Sequence, residues 1–130
     1  MKADWVFVDI GVWASFFAKP NSPEQRAVSS LLRLDRVALV GPIVAEVLLG
    51  IRRRDQADWV ASRLKLAHYV EADWDDWRAA AELGRDLAAR GHHLPLSDLL
   101  LGIVARDLDA AVYSTDPHFD LIPDLKRFEP

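Results

Sequence analysis

Four acidic residues stand in this sequence where a carboxylate is hard to read as ordinary surface charge. Asp9 ends the apolar run Trp5-Val6-Phe7-Val8, and Asp116 comes two residues after the run Ala111-Val112-Tyr113-Ser114. Glu46 is set among Ala45, Val47 and Leu48, and Asp98 is bracketed by Leu96 and Leu99. Unpaired charge in apolar surroundings is costly, so carboxylates in such places need partners. The chain has no cysteine, which excludes disulfides, thiol catalysis, zinc-thiolate sites and iron-sulfur clusters. A divalent cation is the economical partner for three or four converging carboxylates, and hard oxygen ligands select magnesium or manganese. Such an ion can hold a phosphate oxygen and acidify a water, which is the chemistry of phosphodiester hydrolysis. Thr115, beside Asp116, offers a supporting hydroxyl. Each acid also has a plainer reading: Ser97-Asp98 is an ordinary helix opening, Glu46 can pair with an arginine such as Arg52, and Asp9 and Asp116 can cap the helices or turns that come after them.

The elements that would bring these acids together follow from the patterning. Trp5 to Val8, Val37 to Val40 and Ala111 to Ser114 read as short buried strands, with a further strand near Ala67 to Val70 and an edge strand at Lys126 to Phe128. Helices fill the gaps. Ser22-Pro23 opens one that runs to about Leu34, Pro42 suits the first turn of one beginning near Ile43, and residues 55–66 form another. A longer helix begins near Asp73, where Asp73, Asp75 and Asp76 favour an N-terminus, and stops before Gly91. The last opens at Ser97-Asp98 after Pro95, and its body, Leu99 to Ala105, is apolar on every side and therefore buried. Strands alternating with helices predict a mostly parallel sheet covered on both faces, with residues 1–130 forming one α/β domain. In such sheets ligands bind beyond the carboxyl ends of the strands, and that is where the four acids fall.

Composition agrees with a globular chain: 130 residues, 51% hydrophobic and 28% charged, with a net charge of only -4. No stretch approaches the roughly 18 apolar residues of a membrane span, and Asp4 and Asp9 interrupt the start where a signal peptide would be uninterrupted, so a cytoplasmic protein without membrane contact is expected. The net negative charge conceals a local basic run at Arg52-Arg53-Arg54, continued by Arg63 and Lys65.

The segments VFVDIGVW, VAEVLLGIRRR, SDLLLGIVAR and YSTDPHF, in this order and spacing, resemble those of the PIN-domain nucleases, and specifically the VapC-type toxins of bacterial toxin–antitoxin pairs. The resemblance spans almost the whole chain. It implies a three-layer αβα fold and a magnesium- or manganese-dependent endoribonuclease. It also implies an acidic quartet of Asp9, Glu46, Asp98 and Asp116, with Asp9, Asp98 and Asp116 as metal ligands. By the same likeness Glu46 positions or deprotonates the attacking water, Thr115 holds water or phosphate, and hydrolysis leaves a 5′-phosphate and a 3′-hydroxyl. The implied partners are an RNA substrate, a cognate VapB-type antitoxin whose segment covers the acidic cleft, and a second copy in a homodimer.

Two positions depart from the family pattern. Gly11 stands where similar proteins carry Ser, Thr or Asn, which removes one polar contact near Asp9, and Gly102 replaces a more usual alanine in the buried helix. Arg52, Arg53 and Arg54 are candidates for RNA phosphate contacts or for the antitoxin, against the plainer reading of a solvated charge run. The five tryptophans are expected mainly in core or interface packing, and His92, His93 and His118 as exposed loop residues that touch substrate. Two alternatives remain. One is a catalytically weak PIN domain acting by RNA or protein binding, which Gly11 keeps open; the other is a receiver-like signalling domain, whose acidic pair and terminal lysine this chain lacks.

Overall fold

Five short runs, none longer than four residues and all but the last rich in β-branched or aromatic residues, assemble into one sheet because each pairs in parallel with its neighbours. The computed structural model describes residues 4–130. The strands are β1 Val6–Val8, β2 Val37–Val40, β3 His68–Val70, β4 Ala111–Tyr113 and β5 Lys126–Arg127, in the order β3-β2-β1-β4-β5. All four pairings are parallel, with Phe7 opposite Ala38 on one side and Val112 on the other. Every residue of β1 and β2 is buried, as expected for central strands covered on both faces. Trp5 and Ser114 fall just outside the strands they were expected to join, and β5 stops at Arg127.

The helices are α1 Ile10–Ala18, α2 Pro23–Arg33, α3 Gly41–Leu49, α4 Arg54–Leu64, α5 Trp74–Ala89 and α6 Leu96–Asp107. Their ends follow local chemistry. Ser22 accepts a hydrogen bond from the Gln25 N–H at 3.0 Å at the start of α2, and Asp73 and Asp76 cap each other's backbone at the start of α5. That helix stops at Ala89, and Gly91, just past its cap residue Arg90, has a φ of +88° in the left-handed region. The N–H groups of Gly91 and His92 there reach back to the carbonyls of Ala88 and Leu87.

From β1 to β2 to β3 the chain steps outward one way, then returns through α5 and α6 to β4 on the far side of β1. Right-handed crossovers therefore place α1 to α4 on one face and α5 and α6 on the other, giving three layers. Helix α6 is buried from Ser97 through Ala105, the element that the all-apolar sequence predicts. Gly102 has a steric reason: a Cβ there would meet Ile122 Cδ1 at 2.5 Å. No helix is long and apolar enough to cross a membrane among the described residues.

Candidate active site

The direction of travel along the sheet reverses between β1 and β4, which opens a crevice at the carboxyl ends of these two strands. Asp9 follows β1 directly. Its backbone N–H donates to the Tyr113 carbonyl of β4 at 3.0 Å, and its own carbonyl accepts the Trp13 N–H that starts α1. The side chain is buried, 6% exposed as a residue, and does not cap the helix. Instead, Oδ2 accepts a hydrogen bond from the Ser114 hydroxyl at 2.8 Å, while Oδ1 is buried with no hydrogen-bond donor among the described residues.

Asp98 arrives from the opposite layer. It lies in the first turn of α6 and makes no capping bond, so the plain reading of Ser97-Asp98 as a helix cap does not hold. Burial first, and the charge of Asp9 beside it second, push its carboxyl up to about 6, while the hydrogen bond and charge of His118 pull the other way. His118 Nε2 stands 2.7 Å from Asp98 Oδ2.

Asp116 enters through a turn. Its N–H donates to the Ser114 hydroxyl oxygen at 3.0 Å, and its Oδ1 accepts the His118 N–H at 3.0 Å, capping the short 3-10 helix Pro117–Leu121. The same oxygen lies 3.2 Å from His118 Nδ1. Asp9, Ser114, Asp116, His118 and Asp98 thus form one connected chain of polar contacts. From behind, Arg127 of β5 holds the turn through the Ser114 carbonyl at 2.8 Å and Asp120 Oδ1 at 2.6 Å.

The structure brings Asp9, Asp98 and Asp116 to this crevice and places Glu46 in a separate groove that it shares with Ile10, the residue after Asp9. Glu46, half-buried on α3, lines this groove of about 310 Å³ with Ile10, Phe17 and Val60, and it has no ion pair with Arg52 among the described residues. Thr115 is exposed; the hydroxyl that reaches Asp9 belongs to Ser114, which no local sequence pattern singles out. His118 was expected as an exposed loop residue and is instead partly buried against two carboxylates. Arg52, Arg53 and Arg54 precede and open α4, with Arg53 paired to Asp55 at 2.6 Å. His92 and His93 are exposed as expected. Trp13 is buried, but Trp59, Trp74 and Trp77 are 51%, 79% and 40% exposed and do not fill the core.

Among the described residues, no group of three or more histidine and acidic side chains stands in position to hold a metal ion. The donor chemistry nonetheless suits a hard cation at one point: Asp9 offers a buried carboxylate oxygen with no partner, directly beside the Asp98 carboxyl.

The family model of the PIN domain matches residues 6–125. The chain belongs to the PIN-domain family. A comparison with curated protein sequences returned no match. The fold of this PIN domain is similar to that of a chain in the VapBC2 structure from Rickettsia felis bound to a DNA fragment from their promoter, with 16% identity, 95% and 96% of the two chains covered and a TM-score of 0.80. It is also similar to FitAcB from Neisseria gonorrhoeae, at 20% identity, with 96% and 97% covered and a TM-score of 0.73. A third likeness is to VapC20 of Mycobacterium tuberculosis, a sarcin-ricin loop cleaving toxin, at 16% identity, with 96% and 99% covered and a TM-score of 0.71. The receiver-like alternative fails on topology, since that fold orders its strands 2-1-3-4-5 whereas this PIN domain orders them β3-β2-β1-β4-β5.

Proposed function

We propose that this PIN domain is the toxin of a type II toxin–antitoxin pair and hydrolyses RNA phosphodiester bonds at the crevice between β1 and β4. The observation that carries the reading is the Asp9–Asp98 pair: two adjacent carboxyls, one with a buried, unpartnered oxygen and the other pushed up to about 6, are a seat that lacks a positive charge. Asp9 and Asp98, with Asp116 at the rim, are the residues that would hold magnesium or manganese. When bound, the ion supplies neutralisation of phosphate charge and acidification of a water. Ser114 keeps Asp9 oriented through its hydroxyl. Glu46, on the wall of the adjoining groove, is assigned the proton of the attacking water, and Thr115 a polar contact to water or phosphate. Arg52, Arg53 and Arg54 supply local positive charge to an RNA strand. A VapB-type antitoxin completes the proposal, on the likeness to the VapBC and FitAcB structures; a homodimer and a cytoplasmic location are proposed with it, the first from the family resemblance and the second from the sequence.

A second reading, a PIN domain that binds RNA or protein without efficient cleavage, has its own support. No three-ligand cluster stands ready among the described residues, Asp98 and Asp116 are both engaged by His118, and Gly11 contributes no side chain beside Asp9. On the arrangement as it stands, these points favour binding over cleavage. The test is incubation of total RNA with antitoxin-free protein, with and without manganese, beside Asp98→Asn purified identically. Metal-dependent cuts bearing 5′-phosphates, absent from the variant, support the nuclease. Retarded RNA without cuts in either protein supports the binding reading, and equal cutting by both refutes the assigned site.

A further inference from the structure

We infer that Trp59, braced by Phe17 and Arg63, is a stacking platform for an unpaired base of the RNA strand, set at the rim of the groove that contains Glu46. The inference rests on the RNA reading of this PIN domain and adds to it a residue that touches bases, where the arginines touch phosphates.

Helix α4 buries Val60 and Leu64 and turns Trp59 outward, leaving it 51% exposed. The indole is nonetheless held in place. Phe17 of α1 meets it nearly edge-on, with ring centroids 6.0 Å apart, and Phe17 in turn stacks with the buried Trp13. One turn further along α4, the Arg63 guanidinium stands 4.9 Å from the Trp59 ring centroid. A large ring already fixed in orientation and still half open to water loses little freedom when a flat ligand stacks on it. Its position is also specific. Phe17 lines the groove with Ile10 and Glu46, and so do Gln56 and Val60, which flank Trp59 on α4. The groove thus lies between the residue after Asp9 and the helix that carries the platform.

A flat aromatic face accepts a protein side chain as well as a base, and the charge around it selects the polyanion. Residues 52–65 hold five basic side chains, Arg52, Arg53, Arg54, Arg63 and Lys65, against the two acids Asp55 and Asp58, in a chain whose net charge is -4. Asp55 is already paired with Arg53, whereas Arg52, Arg54 and Arg63 have no carboxylate partner among the described residues. Glu46 in the groove and Asp58 beside Trp59 oppose a phosphate, and they are outnumbered. Arginines attract phosphates without regard to sequence, and unpaired bases stack on aromatic rings and on guanidinium planes; Trp59 and Arg63 present one of each. A base within a duplex is already stacked on both faces, so the platform serves an unpaired one.

None of these contacts needs a metal ion, so binding is read with the whole protein in chelator, where the strand stays intact. The probes are a short fluorescein-labelled oligoadenylate and a base-free tetrahydrofuran strand with the same number of phosphates, followed by anisotropy. Trp59→Leu keeps an apolar contact for Phe17 and offers no aromatic face. It should bind oligoadenylate about tenfold more weakly, the loss of one stacked base. It should bind the base-free strand as the unaltered protein does, with the slope of log affinity on log salt unchanged. Trp59→Phe should recover most of the affinity. Arg54→Gln should instead weaken both strands alike and lower the salt slope by about one. A second readout does not depend on the leucine variant folding: oligoadenylate, but not the base-free strand, should quench part of the tryptophan fluorescence, and that part should be missing from Trp59→Phe. Equal affinity of Trp59→Leu and the unaltered protein for oligoadenylate, or quenching that persists in Trp59→Phe, would overturn the platform and leave this face to a protein partner. A parallel loss of both strands would overturn it too, since the residue would then act through the fold. If the unaltered protein binds neither strand, the RNA reading falls and the platform with it. If it binds the two strands equally, the arginines hold RNA and the platform alone falls.

Discussion

Replacing Asp98 by asparagine should stabilise the protein in chelator at neutral pH and abolish its stabilisation by magnesium. The carboxyl of Asp98 is pushed up to about 6, chiefly by burial and then by Asp9, against about 3.9 in an unfolded chain. The folded state thus holds this proton more tightly than the unfolded state, and its contribution to stability is full below pH 4 and is lost as pH rises through 6. About two pKa units correspond to roughly 3 kcal/mol at most, and water at the mouth of the crevice reduces this to about 1–2 kcal/mol. Asparagine keeps an acceptor for His118 and removes the charge. For a chain of 130 residues, 1 kcal/mol shifts the melting temperature by about 4 °C, so Asp98→Asn should melt about 4–8 °C above the parent at pH 7.5 in chelator. At pH 4 the two should coincide. Magnesium should then raise the melting temperature of the parent and leave the variant unmoved, because binding to the folded state alone stabilises it. Thermal melts followed by circular dichroism at both pH values check all three statements. A variant less stable than the parent at pH 7.5, or a difference independent of pH, would refute the reasoning that burial, with Asp9 beside it, opposes the charge of Asp98.

Three further substitutions probe the surroundings of that pair. Ser114→Ala removes the hydroxyl that serves both Asp9 and the Asp116 N–H; a loss of about 1.5–3 kcal/mol in chemical denaturation is expected, largely restored by Ser114→Thr, which keeps a hydroxyl. Gly102→Ala would drive a Cβ to 2.5 Å from Ile122 Cδ1, so an overpacking cost of about 1–3 kcal/mol outweighs or cancels the helix-propensity gain of about 1 kcal/mol; a variant clearly more stable than the parent in urea would contradict the packing. Gly11→Ser meets nothing within 4 Å, so it should fold with unchanged or slightly raised stability and return a hydroxyl to the start of α1, with manganese-dependent RNA cleavage rising several-fold on the nuclease reading.

Most of the framework was legible because it depends on signals a few residues long. The run Val37–Val40 is the strand it was expected to be, the aspartates at 73 and 76 do cap α5, and the all-apolar body of α6 is buried. The site was legible only in its acids. Ser114 gains its role by meeting Asp9, 105 residues away, and no local pattern says that β4 lies beside β1. His118 left a fainter trace: an aspartate followed by proline commonly turns the chain back on the aspartate's own side chain, as Asp116 does with the His118 N–H, and such a turn keeps residue 118 close to the acid. Which tryptophans stay outside the core was not legible, because spacing alone does not separate a core face from an exposed one. Trp59 lies outside the core, beneath Arg63, whose guanidinium sits 4.9 Å from its ring centroid.

The least conspicuous element of the sheet has a large part in the geometry of the crevice. Strand β5 is two residues long and could be mistaken for a terminal afterthought. It pairs with β4 through Ala111 and Val112, and this register presents Arg127 to the turn that carries Asp116. One guanidinium nitrogen donates to the Ser114 carbonyl, another to Asp120, and the group also lies over the Phe119 ring at 5.7 Å. Because Ser114 in turn holds Asp9, the carboxylate beside Asp98 is oriented by a relay running from β5 through β4 to β1. Asp98 itself depends on α6, which reaches the crevice only by packing on β1 and β4 from the other face. No contiguous fragment short of nearly the whole chain contains Asp9, Asp98, Ser114 and Arg127 together. The acidic crevice is therefore a product of the closed sheet, and opening of the β4–β5 side would dismantle it before the central strands separate.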